Sequence, residues 1–345
     1  YLERRARRKK RMMLERKRRR RRRLIIQMAL GLVVILAVIF TVVGAASKKV
    51  KADKAETAEK NQEAVTEQAE IYTESIVKEP IEEPESAVPE TIAYEFVSTE
   101  NTKNIYSENV ISSHAILVDE STDTIIASKG AKERINPASM TKVLTVLVAA
   151  EHITEEQLED TFTMTIDITD YSYVNDCSNT GFEVGERITV KDLFYGTILP
   201  SGADAADALA IAACGSTEAF AEKMNEKVAE LGLSESAHFA NANGLHDDNH
   251  YTTAYDLALI ARAFFSNDYL ANIANTPRVH FEPTATQPDD FYLNNKNKLV
   301  SKEIKYEYYL GGKTGYTKEA KQTLVSCAEK DGMRLVCVVM KEETP

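Results

Sequence analysis

The spacing of apolar positions along this chain changes twice. Residues 24–46 are almost entirely Leu, Ile, Val, Ala, Gly, Phe and Met, with no charged residue. About 20 apolar residues in a helix cross a bilayer core, so this run predicts a transmembrane helix. Residues 47–104 then carry Glu, Lys, Ala and Thr without a sustained apolar period, and Pro80, Pro84 and Pro89 interrupt them. That texture predicts a disordered or weakly helical acidic stalk.

Periodic apolar positions return near residue 109. His114–Asp119 and residues 124–128 are apolar, β-rich runs joined by Glu120-Ser121-Thr122-Asp123, which predicts a hairpin. Pro137 precedes an apolar helical run over 140–150, so Ser139 is expected to open that helix. Further helices are predicted at 190–199, 204–214, 217–231 and 253–265, the last with Thr253-Ala254-Tyr255-Asp256 as a capping box. After Arg278 strand texture resumes at 312–316, 323–328 and 333–339, the last two flanking a Lys330-Asp331-Gly332 turn. Strands at both ends with helices between predict an α/β domain of the α+β type: one mixed sheet flanked by helices, with an inserted helical subdomain. The cleft between the two is the natural site.

Charge sharpens the organisation. The 345-residue chain has a formal net charge of −11, yet residues 1–23 hold fifteen Lys or Arg against Glu3 and Glu15. Positive charge before the apolar run predicts a basic cytoplasmic tail (1–23), a membrane helix (24–46), the stalk (47–104) and an outer-face catalytic domain (105–345). A cleaved signal peptide ending at Val43-Gly44-Ala45 is the competing reading. Its apolar core would usually run only about 7–15 residues, which favours the uncleaved single-pass anchor. Beside such a helix the basic run is read as a topology signal rather than a nucleic-acid site.

Three short motifs carry the chemistry. Ser139-Met140-Thr141-Lys142 places a hydroxyl and an amine about one helical turn apart, the arrangement a nucleophile needs for a nitrogen base. Lys142 serves as base only when neutral, which needs its ordinary pKa of ~10.4 to fall by about three units. Burial and a like charge from Lys313 both push that way. Ser201-Gly202-Ala203 and Lys313-Thr314-Gly315 follow. A second S-x-x-K, Ser75-Ile76-Val77-Lys78, lies in the polar stalk with no core to hold it.

In that order, and with Ile135-Asn136-Pro137-Ala138, Asn241-Ala242-Asn243-Gly244-Leu245 and His250-Tyr251-Thr252-Thr253, the stretch from 114 to 344 resembles the D-alanyl-D-alanine carboxypeptidases. These are low-molecular-weight penicillin-binding proteins of the serine peptidase class, for which S-x-x-K and K-T-G are signature motifs. The resemblance implies a penicillin-binding/β-lactamase-like fold and removal of the terminal D-alanine of peptidoglycan stem peptides through an acyl-enzyme. β-Lactams would be acylating inhibitors, and no cofactor or metal is expected. Ser139 would be the nucleophile, Lys142 its base and Ser201 a proton relay. Lys313 and Thr314 would bind the substrate carboxylate, and Gly315 would leave room for an extended peptide. The backbone N–H groups of Ser139 and Tyr316 would form the oxyanion hole.

The chain departs from the family at Ala203, where the middle motif usually ends in Asn. Replacement of that amide by Asp204, another neighbour or water is the first expectation. A catalytically impaired envelope protein that binds peptidoglycan or β-lactam is the alternative. The family also usually continues past the position of Pro345, so the domain is expected to be truncated there. A class A β-lactamase is disfavoured because nothing between Ser201 and Lys313 resembles its Glu-x-x-x-Asn loop. His246 and His250 have a ligand-like spacing but fall in a family loop and are read as structural. Disulfides are possible among Cys177, Cys214, Cys327 and Cys337 on an outer face, but Cys327 and Cys337 would occupy neighbouring strands, where a bridge is often strained, and buried thiols are the preferred reading.

Overall fold

Strands from the two ends of the domain pair into one sheet, which is what brings residues as distant as Ser139 and Lys313 together. The computed structural model describes residues 95–342, apart from 107–109, 284–286 and 289. The expected tail, membrane helix, most of the stalk and the Ser75–Lys78 decoy lie outside the described residues. Among the described residues no helix is long and apolar enough to cross a membrane.

The strands are β1 (Val97–Asn104), β2 (His114–Asp119), β3 (Thr124–Lys129), β4 (Thr161–Thr163), β5 (Arg187–Thr189), β6 (Arg278–Phe281), β7 (Phe291–Asn294), β8 (Tyr309–Thr317), β9 (Lys321–Lys330) and β10 (Met333–Glu342). Six of them form the main sheet in the order β1-β3-β2-β10-β9-β8. Its pairs are antiparallel except β1 with β3, which run parallel. The predicted hairpins are both present. Asp331 and Gly332 turn the second with φ of 53° and 79°, the left-handed region in which a two-residue hairpin turn matches strand twist.

β1 corrects the expected boundary of the stalk, because the folded domain begins before residue 104. Most of β1's side chains are exposed, so no alternating apolar signal marks it in the sequence. Backbone pairing with β3 holds it, together with the buried ring of Phe96 just before it, whose N–H donates to the Tyr255 hydroxyl at 3.1 Å.

Seven helices fill the middle of the described chain: α1 (Thr141–His152), α2 (Ile166–Val174), α3 (Val190–Ile198), α4 (Ala203–Cys214), α5 (Thr217–Glu230), α6 (Ala254–Phe265) and α7 (Asp268–Ala274). α6 lies against β2 and β10 and starts with the predicted capping box, Thr253 and Asp256 each bonding the other's backbone. α1 is buried at every position from Thr141 to Ala149, the signature of a helix wrapped on all sides. It packs against α3, α4, α5 and α6, and truncating a residue such as Leu144, 0 % exposed, to Ala is expected to cost about 2–5 kcal/mol. α4 is equally enclosed from Ala203 to Ala210, where small side chains allow close approach to its neighbours. Gly215 ends it in the left-handed conformation, φ 81°.

Cys327 pairs with Val336 and Cys337 with Ser326, so the two cysteines are one register step apart and their side chains point to opposite faces. All four thiols are free.

Candidate active site

Ser139 lies in a short 3-10 turn, Ala138–Met140, that feeds α1. The expectation that Ser139 opens the α-helix is corrected by this turn. Ala138 adopts φ 51°, outside the right-handed region, so regular α-helix begins only at Thr141. The Asn136 carboxamide oxygen accepts from the Ala138 N–H at 2.9 Å and fixes the bend. Such strain at a buried turn is the kind that a packed surrounding must hold in place. That support comes from Gly244, whose φ of 77° and missing β-carbon let it press on the Ala138 carbonyl.

The spacing still delivers the pair. Lys142 Nζ stands 3.0 Å from Ser139 Oγ, and the same nitrogen donates to the Asn243 carbonyl. Lys142 is 1 % exposed. Burial brings its ammonium down to about 8, while Asp207, Asp204 and Cys177 oppose the shift and Lys296 adds to it.

Ser201 approaches from the other wall with φ 63°, presenting its hydroxyl from a strained turn before α4. Lys313 Nζ donates to Ser201 Oγ and to the Thr314 carbonyl, each at 2.8 Å. Lys313 is 3 % exposed, and its pKa falls well below the ordinary value, first through burial and then through the charges of Lys142 and Lys296. Two buried amines repel when both are charged, so the site resists protonating Lys142 and Lys313 together.

These groups meet in a cleft of about 670 Å³ that Ser139, Lys142, Ser201, Thr314, Gly315 and Tyr316 all line. Lys313 lies beneath that surface. Gly315 also sits tightly against the serine turn. A β-carbon there would stand 3.0 Å from the Ser139 nitrogen and 3.2 Å from that of Met140, and would run into the Thr323 hydroxyl. Its bare α-carbon therefore accommodates the nucleophile turn, not only a peptide.

With the strained serine turn, the lysine pair and the K-T-G strand in one cleft, the wider likeness can be weighed. The D-alanyl-D-alanine carboxypeptidase family matches residues 99–344. The chain belongs to that family. The D-alanyl-D-alanine carboxypeptidase DacF of Bacillus subtilis is 33% identical over 231 residues, 67% of this chain and 57% of that protein. DacA of Escherichia coli is 32% identical over 240 residues, 66% of this chain and 56% of that one. The chain thus spans a little over half the length of these relatives. Among solved structures, a variant of the Streptomyces K15 DD-transpeptidase superposes with a TM-score of 0.63 at 28% identity, covering 69% of this chain and 93% of that one. A D-alanyl-D-alanine carboxypeptidase from Mycobacterium tuberculosis gives 0.62 at 30%, covering 70% and 87%. The fold is that of the penicillin-binding DD-peptidases.

Within this carboxypeptidase family scaffold, several functional neighbours escape a motif search. Asn243 supplies the carbonyl for Lys142, and Lys296 lines the cleft with its amine 2.6 Å from Ser178 Oγ. Asn243 lay in a quoted motif without a role, whereas Lys296 sits in a polar run where nothing marks it. Asp204 does not stand in for the amide missing at Ala203. Its carboxylate accepts from the Thr180 N–H and hydroxyl, the latter at 2.6 Å. The loop Asn175, Cys177 and Ser178 forms the cleft wall there instead, and the Ala203 N–H donates to the Ser178 carbonyl at 2.8 Å.

His250 is structural. Its Nδ1 accepts from the Ala240 N–H at 3.0 Å, its Nε2 bonds the Thr141 hydroxyl at 2.7 Å, and burial pushes it down to about 3, leaving it neutral. It ties the loop that carries Asn243 to the start of α1.

Proposed function

We propose that this chain is a serine-type D-Ala-D-Ala carboxypeptidase that removes the terminal D-alanine of peptidoglycan stem peptides. One observation carries the reading: a buried lysine amine, lowered to about 8, stands 3.0 Å from the Ser139 hydroxyl. Ser139 Oγ attacks the carbonyl carbon of the penultimate D-alanine while Lys142 takes its proton. The Ser139 and Tyr316 N–H groups stabilise the oxyanion. The scissile C–N bond then breaks, and the departing D-alanine nitrogen receives a proton from the Ser201 hydroxyl, which Lys313 holds. Ser201 takes in return the proton that Lys142 removed from Ser139, so Lys142 is neutral again. Water next attacks the ester with Lys142 as base, which restores Ser139.

Lys313 and Lys296 give the cleft a positive field for the substrate carboxylate, and the Thr314 hydroxyl donates to it. β-Lactams present a strained amide to the same serine and form a lasting ester. The catalytically impaired alternative is not favoured, since Lys142 and Lys313 each hold a serine hydroxyl. The charge asymmetry around residues 24–46 supports a single-pass membrane anchor with this domain on the outer face of a bacterial cytoplasmic membrane. In that topology the stalk spaces the domain from the bilayer.

Mass spectrometry after exposure to penicillin, then to a D-Ala-D-Ala peptide, tests the reading. Penicillin mass on the peptide containing Ser139, none on Ser139→Ala, and release of D-alanine are expected. Label on Ser139→Ala, or near Ser75, would refute the assignment.

A further inference from the structure

α4 is rich in alanine yet buries two carboxylates, each with a different partner. Asp204 is taken up by Thr180. Asp207, one turn further on and 7 % exposed, accepts instead from the Asn243 side-chain nitrogen, at 2.9 Å to one oxygen and 3.1 Å to the other. The Asn243 side-chain oxygen in turn accepts the Leu245 N–H at 2.9 Å, so that side chain is fixed at both ends. Its main-chain carbonyl is the one that receives the Lys142 amine. A continuous connection therefore runs from Asp207 through Asn243 to the base.

Asp207 also has its own access. With Asn243 it lines a second cavity of about 540 Å³, walled by Ile168, Tyr171 and Ile211. Asn243 lines both this cavity and the main cleft.

We propose that Asp207 is a positioning residue: it holds Asn243, and so the carbonyl under Lys142, and its carboxylate biases Lys142 toward the charged form until it takes a proton from the second cavity. This rests on Lys142 being the base. The charged and titratable groups around the pair are Asp204 on α4, Asp167 and Tyr171 on α2, Cys177 after α2, Glu218 on α5 at the second cavity, and Lys296 and Lys313 on the side of the main cleft. Burial pushes Asp207 up to about 7 and Lys142 down to about 8, so both titrate in the range where the cleft must work. A negative Asp207 raises the Lys142 pKa, and a neutral one lets it fall.

Penicillin acylation of the full chain, followed as a rate against pH, tests this. Asp207→Asn keeps an oxygen that can accept from Asn243 but removes the charge. It is expected to move the midpoint of the profile to lower pH by about half a unit or more, with the plateau within about threefold of wild type. Asp207→Ser should move the midpoint the same way. Asp207→Ala releases Asn243 and should lower the plateau by about tenfold or more. Midpoints unchanged in both Asp207→Asn and Asp207→Ser, or rates that fall only in step with Tm, overturn the inference. A wild type that penicillin does not acylate overturns the underlying reading instead.

Discussion

Gly315 lies so close to Ser139 that a β-carbon on it would come within 3.0 Å of the serine's backbone nitrogen. The K-T-G strand is thus a mould for the nucleophile turn, and the two can be uncoupled by adding one methyl group. Gly315→Ala should lower penicillin acylation by about tenfold or more, a cost of ~1–3 kcal/mol for an overpacked contact. The same β-carbon would meet the Thr323 hydroxyl, which is buried with no hydrogen-bond partner. Adding Thr323→Ala should therefore recover Tm without restoring acylation, because Ser139 stays displaced. Full recovery of acylation in the double variant would place the conflict at Thr323 alone.

Lys142 sets function against stability. Its folded pKa of about 8 lies below the ordinary 10.5 of an unfolded lysine, so the folded state binds its proton less well than the unfolded state. The resulting penalty is full below about pH 8 and disappears as pH rises toward 10.5. Lys142→Met should abolish acylation yet raise stability at neutral pH by up to roughly 3 kcal/mol. Thermal unfolding at pH 7 and at pH 10 checks this, and the advantage of the variant should shrink at the higher pH. An advantage that grows with pH would contradict the assigned direction.

Lys313 and Ser201 share one hydrogen bond of 2.8 Å, so their truncations should not add. In a double-mutant cycle on D-alanine release, Lys313→Ala and Ser201→Ala should couple by about 1 kcal/mol or more. Amidating the substrate terminus should cost wild type more than it costs Lys313→Ala, because the mutant has already lost that part of the field. Equal costs would remove Lys313 from carboxylate recognition.

Ala203 tests how the missing amide is replaced. It is 2 % exposed, and its N–H is committed to the loop that forms the adjoining wall. Ala203 lines the cleft beside that loop, so Ala203→Asn should crowd the wall at Ser178 and lower turnover of a D-Ala-D-Ala peptide, with a smaller loss of penicillin acylation. A rise in turnover would mean that the wall yields and the amide is welcome.

The sequence carried most of the frame. Apolar runs marked β2, β3, β8, β9 and β10 but not β6 or β7, and Thr253 with Asp256 marked the start of α6. Spacing alone paired Ser139 with Lys142. Exposed β1 left no such trace, because it is held by backbone pairing that side-chain patterning cannot report. Lys296 and Asp207 were invisible for a different reason. Their roles come from contacts across long stretches of chain, Asp207 with Asn243 and Lys296 with Ser178, and no local spacing encodes those meetings. Gly315 was found, but its closeness to the serine turn was not, since that turn lies 176 residues away in sequence.

The order of the main sheet has a mechanical consequence. The chain enters the domain through β1 at one edge, while β8, against the nucleophile turn, is the opposite edge. At about 4.8 Å per strand, some 24 Å of hydrogen-bonded sheet separates them. A pull applied to the residues before β1 would load the β1–β3 pair first. That pair can part while β2, β10 and β9 still brace β8 and the serine turn, so such a load would be relieved at a strand that forms no part of the cleft.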